Sequence, residues 1–154
     1  MFGFGKKDIK VAAPVAGRIF DITEAKDEVF SSKMMGDGFA VEPESEEIVA
    51  PCDGRIALLA GTLHAVAIEK DGVQLLIHVG LDTVELQGKG FEAKVAEGDQ
   101  VKKGDVLLHF DRAYIESQGK PLTTMLVITN MDEKVKSLTK KLDQPDEVLC
   151  IKVK

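Results

Sequence analysis

The chain has 154 residues, 44% of them hydrophobic and 30% charged, with a formal net charge of −6 at pH 7. That size and balance support one domain, residues 1–154, with its own core, and the acidic charge excludes a nucleic-acid partner, which needs a basic surface. No apolar run approaches the ~20 residues of a membrane span, and the opening Met1-Phe2-Gly3-Phe4-Gly5-Lys6-Lys7 is too short and glycine-rich for a signal peptide, so the expectation is a cytoplasmic protein with a flexible stretch over residues 1–10.

From the N-terminus, β-type runs are expected at residues 17–22, 47–50, 55–60, 64–69, 73–79, 106–110, 125–129 and 148–153. Gly, Pro and Asp separate most of them, as in a compact all-β sandwich or barrel. Ala13-Pro14-Val15-Ala16-Gly17-Arg18-Ile19 repeats as Ala50-Pro51-Cys52-Asp53-Gly54-Arg55-Ile56, a turn feeding a strand in each copy. Between 97 and 107, two Gly-Asp turns flank a further short strand. These features resemble the half-motifs of biotinyl and lipoyl carrier domains and predict pseudo-symmetric halves. Met34 and Met35 are read as neighbours on one strand, of which only one can face inward. Helix is scarce: Asp111 is placed to cap a helix to Gln118, and Asp132 another to Leu142. Cys52 and Cys150, in apolar runs without metal-type spacing, read as reduced core thiols. His109 alternates with apolar residues and reads as structural or surface.

The other two histidines frame one hairpin, His64 on its first strand and His78 on its second. A three-residue loop, Lys70-Asp71-Gly72, with Gly72 left-handed, pairs Glu69 with Val73 and therefore His64 with His78, their Cβ atoms about 4.5–5.5 Å apart. A two-residue loop, Asp71-Gly72, pairs His64 with Val79 and puts the imidazoles on opposite faces. Cooperation between them thus predicts the odd-length loop. Paired neutral imidazoles suit phosphoryl transfer: one nitrogen attacks, and the other ring donates N–H to the phosphoryl oxygens. Thr62, two residues from His64, shares its strand face and is placed to fix a tautomer. Two readings compete: unrelated half-exposed histidines, or a zinc site completed by Asp82.

The segment Gly72-Val73-Gln74-Leu75-Leu76-Ile77-His78-Val79-Gly80-Leu81-Asp82-Thr83-Val84, the earlier Thr62-Leu63-His64, the block from Asp27 to Ala40 and Asn130-Met131-Asp132 together resemble the glucose-type IIA phosphocarriers of the bacterial sugar phosphotransferase system. The resemblance spans nearly the whole chain. It implies an antiparallel β-sandwich with barrel-like halves and a phosphoryl group carried on His78, received from phospho-HPr and passed to a cysteine on the IIB domain of a glucose permease. His64 would stabilise the phosphoryl and Thr62 orient the histidine. An apolar docking ring would comprise Val29, Phe30, Met34, Met35, Leu76 and Val84, edged by Asp27 and Asp82. The resemblance further implies a monomer, no cofactor beyond adventitious zinc at His64 and His78, and no direct sugar binding. The short loop between the histidines and Glu28 depart from the family pattern. Rival readings are a carrier modified on Lys33, a zinc hydrolase of barrel-sandwich type, and a purely regulatory binding protein.

Overall fold

A computed structural model describes residues 8–154. Its strands are β1 (Ile9–Val11), β2 (Gly17–Asp21), β3 (Asp37–Pro43), β4 (Glu47–Val49), β5 (Gly54–Leu59), β6 (Ala65–Lys70), β7 (Val73–Val79), β8 (Phe91–Ala93), β9 (Gln100–Val101), β10 (Val106–Phe110), β11 (Thr124–Ile128), β12 (Val135–Lys140) and β13 (Leu149–Val153). The helices are short: α1 (Glu28–Ser31), α2 (Arg112–Ser117) and α3 (Met131–Lys134), with single 3₁₀ turns at Ile22–Glu24 and Thr83–Leu86. A seven-stranded sheet runs β2-β3-β11-β7-β6-β5-β9, and two three-stranded sheets run β4-β10-β8 and β1-β13-β12. Neighbouring strands pair antiparallel throughout, as in β11 with β3 and β7.

Strand alternation sorts the apolar residues into two cores. Phe39, Val41, Leu75, Ile77, Leu126 and Ile128 of the large sheet join Ile48, Leu108 and Phe110 of one small sheet and Ile9, Val11, Leu149 and Ile151 of the other in the main cluster. The alternate residues Ala40, Met125 and Val127 face the other way, where Ile22, Ala25 and Phe30 of the segment between β2 and β3 cover them. Strand β11 is therefore buried on both faces and reads as a continuous apolar run rather than an alternating one.

The sequence repeat is a physical one. Its copies are offset by 37 residues, Ala13 to Ala50. Under that shift one hydrogen bond maps onto another: Ala12 N–H donates to Pro51 O (2.9 Å) and Val49 N–H donates to Pro14 O (2.7 Å). The two halves are tied at their pseudo-symmetric turns. Glycine is required after each turn because a Cβ on Gly17 would meet Glu42 O at 2.1 Å and one on Gly54 would meet Glu69 O at 2.7 Å.

Several elements differ from expectation. The predicted helix from Asp132 to Leu142 is one turn, α3, followed by strand β12. Pairing with β13 overrides the helical propensity of this lysine-rich stretch. The seven-residue β3, unforeseen, lies inside the large sheet. Met34 and Met35 sit in the turn after α1, not on a strand, so both escape the inside–outside rule. Cys52 is buried in the core, but Cys150 is only partly so. Residues 1–7 of the expected flexible stretch lie outside the described residues, while Ile9 and Lys10 pair with β13. The cap on α2 is as expected: Asp111 Oδ1 accepts from Tyr114 N–H at 3.0 Å.

Candidate functional site

His78 stands on β7 in a row of side chains crossing five strands. Ala65 of β6 is its cross-strand neighbour on one side and Met125 of β11 on the other, continued by Ala40 of β3 and Phe20 of β2. The small Ala65 leaves space beside the imidazole, and Phe30 of α1 backs it, ring centroids 5.0 Å apart at 57°.

The hairpin does not follow the expected three-residue loop. Lys70 pairs with Val73, leaving the two-residue loop Asp71-Gly72, so Ala65 rather than His64 opposes His78. Asp71 (φ 49°) and Gly72 (φ 84°) are both left-handed, the type I′ turn that an Asp-Gly pair favours because its twist matches the strands. The two imidazoles nevertheless meet edge-on, centroids 4.8 Å apart and planes at 82°. His64 lies one residue outside β6, after Leu63 in the left-handed region (φ 59°). Its carbonyl still accepts from Val79 N–H at 2.8 Å, but its side chain is free of the strand's alternation. The inference from register to opposite faces thus fails at a strand end.

Hydrogen bonds constrain the ring nitrogens. His78 Nδ1 lies 3.0 Å from Gly80 O. A carbonyl only accepts, so Nδ1 carries the proton and Nε2 keeps its lone pair. Thr62 Oγ1 lies 2.7 Å from His64 Nδ1, and a hydroxyl can take either role there. Burial pushes the His78 pKa below the ordinary 6.5, helped by the neighbouring His64 and opposed by the Gly80 carbonyl, Asp27 and Asp82. Burial also lowers His64. Both rings are neutral at pH 7, the state a nucleophilic nitrogen requires.

A shallow depression of about 240 Å³ opens over His78, lined by Asp27, Val29, Phe30, Met35, Asp82 and Val84. Val84 is 50% exposed, Val29 45% and Met35 36%. Phe30, expected in the exposed ring, is a floor residue at 5%, because the helical turn of α1 directs Val29 outward and Phe30 inward. Leu76 is partly buried against the second core. Met34, 77% exposed, stands outside the depression. Asp27 also caps α1, accepting from Val29 N–H at 2.9 Å. His109 lines a separate surface hollow with Glu46, Glu92 and Asp111. Among the described residues no group of three His, Cys, Asp or Glu side chains is placed to hold a metal, and no helix is long and apolar enough to cross a membrane. The Gly80 carbonyl was missed from the sequence because a backbone acceptor has no residue signature.

Fold and site together define an all-β domain with an open, paired-histidine centre. Residues 9–134 match the family described as phosphoenolpyruvate-dependent sugar phosphotransferase system, EIIA 1. The chain is 46% identical over 135 residues to the PTS system glucose-specific EIIA component of Bacillus cereus, covering 86% of this chain and 82% of that one. It is 43% identical over 145 residues to the PTS system glucose-specific EIICBA component of Staphylococcus carnosus, covering 92% of this chain and spanning 22% of that one. The structure of glucose permease IIA from Mycoplasma capricolum matches with a TM-score of 0.84 at 36% identity, covering 97% of this chain and 99% of that one. The chain belongs to the EIIA 1 family of the phosphoenolpyruvate-dependent sugar phosphotransferase system. It is accordingly a phosphoryl-carrying component of that system.

Proposed function

We propose that His78 Nε2 accepts a phosphoryl group from phospho-HPr and passes it to a cysteine on the IIB domain of a glucose-type permease. The observation that carries this reading is the Nδ1–H bond to Gly80 O, which commits the lone pair to Nε2. In acceptance, that pair forms the N–P bond as the bond to the donor breaks. In donation, the cysteine sulfur forms the P–S bond and the N–P electrons return to His78. With Thr62 donating into His64 Nδ1, His64 carries its proton on Nε2 and offers it to the phosphoryl oxygens, the charge stabilisation this transfer needs.

The exposed Val29, Met35 and Val84 form the docking rim, and Asp27 and Asp82 favour a basic partner face. The fused EIICBA relative supports a IIB domain as acceptor. In this reading the protein is a cytoplasmic monomer that needs no cofactor and never touches the sugar. Zinc bound at His64 and His78 would occupy the lone pair the cycle uses, and so would be adventitious.

The test is phosphorylation with phosphoenolpyruvate, enzyme I and HPr, followed by mapping of the acid-labile label. Label on His78 that chases onto a IIB domain is the expected result. Phosphorylated HPr with an unlabelled protein would reject the carrier role.

A further inference from the structure

The carbonyl that sets the His78 tautomer is itself held in place. It belongs to Gly80, whose φ of 81° is available to few other residues. The peptides on either side of Gly80 are tied at three further points. Gly80 N–H donates to Thr123 O at 3.0 Å, and Leu81 N–H donates to Pro121 O at 3.0 Å. The Val79 carbonyl accepts from the Thr83 hydroxyl at 2.5 Å. Thr83 is fully buried, and its methyl lies 2.5 Å from where a Cβ on Gly80 would fall. One side chain therefore holds the Val79 carbonyl with its hydroxyl and closes the space over Gly80 with its methyl. The other two ties come from backbone groups that no substitution removes without refolding the chain.

We propose that Thr83 is a positioning residue for phosphoryl transfer: its hydroxyl, by fixing the Val79–Gly80 peptide, aims the Gly80 carbonyl at His78 Nδ1 and so keeps the lone pair on Nε2. Thr83 does not line the depression over His78, so its role is indirect. Its effect passes through two peptide planes, and the consequence of release is a mixed tautomer rather than an unfolded loop. The proposal rests on the reading of His78 as the acceptor.

Thr83→Val keeps the methyl and the volume and removes only the donor. Thr83→Ser keeps the donor and removes the methyl. In Thr83→Val the His78 ring nitrogens, read by ¹⁵N chemical shift, should lose the single Nδ1–H pattern of the wild type. The rate of acceptance from phospho-HPr should fall about ten- to a hundredfold, the scale of a small misplacement at a reacting centre, with little change in apparent KM. Thr83→Ser should restore both readouts. A Thr83→Val protein with the wild-type ¹⁵N pattern and an unchanged acceptance rate would overturn the proposal, even with a lower melting temperature, since that is a purely structural role. Wild-type protein that takes no label on His78 would instead overturn the acceptor reading, so the two failures are distinguishable.

Discussion

His78 and His64 stand side by side as neutral rings, and their pH behaviour follows from that. Burial places both pKa values below 6.5, so the neutral nucleophile persists to lower pH than a free histidine would allow. Acceptance should be flat above pH 7 and fall on acidification with a midpoint below 6.5, measured as initial rate against pH. A midpoint at or above 6.5 would contradict the assignment. His78→Ala should abolish labelling. His64→Gln should still be labelled, because attack needs only the His78 lone pair, but its chase onto IIB should slow by about 10²-fold or more, the usual loss for a missing donor at a developing charge. Full-speed chase in that variant would reduce His64 to a bystander. Thr62 does meet His64, but not through the expected shared strand face: both precede β6, and a turn with Leu63 left-handed brings them together. The Gly80 carbonyl was not legible, since it belongs to the backbone.

The hairpin shows where element-level reasoning succeeded and where it broke. Asp-Gly correctly marked a turn, but both residues are left-handed, and the loop is two residues long. Gly72→Ala should destabilise by roughly 1–2 kcal/mol, read as a lower urea midpoint, because alanine resists φ 84°. Asn130 reinforces the turn from β11's end, accepting from Gln74 N–H at 2.9 Å and donating to Gly72 O at 2.8 Å. At β12, the alternation of Val135, Leu138 and the lysines is ambiguous between strand and helix until β13 offers its edge. Lys140 then reaches across to Asp21 (2.6 Å) and Asp37 (2.5 Å). Partial burial raises the Asp21 pKa, but hydrogen bonds from Lys140 and Thr23 outweigh it, taking it from 3.8 to about 2. A depressed carboxylate adds stability above its unfolded pKa that is lost as pH falls from 3.8 towards 2. Lys140→Ala should lower stability at pH 7 by roughly 1.5–3 kcal/mol and flatten the acid limb of a stability–pH curve.

Across the whole molecule, the two imidazoles, His64 buried and His78 half-buried, impose a pH dependence of the opposite origin. Below pH 6.5 the unfolded chain binds protons that the native histidines refuse, so stability rises with pH and drops on acidification from 6.5. Thermal melts of the wild type should show this slope, and the double substitution His64→Gln with His78→Gln should reduce it. The cysteines report on the same packing. Burial pushes the Cys52 thiol up to about 11, and the side chain is 5% exposed. Iodoacetamide should therefore label Cys150 in the native protein and reach Cys52 only on unfolding. Equal labelling of both would mean that the core under the second Ala-Pro turn opens readily.

The sequence by itself determined the all-β class, the paired turns of the repeat and the cap on α2, because these depend on local chemistry: glycine and proline at turns, alternation along strands, an aspartate ahead of a helix. The residues expected around the histidines came instead from the resemblance to the family. Tertiary structure alone decided the rest. Whether residues 135–140 form helix or strand depends on a partner edge far away in sequence. Phe30 becomes floor rather than rim because the sheet face of Met125 and Val127 must be covered. His64 meets His78 despite its register because the strand ends one residue too soon to hold its side chain, a distinction of backbone torsion that residue identities do not carry.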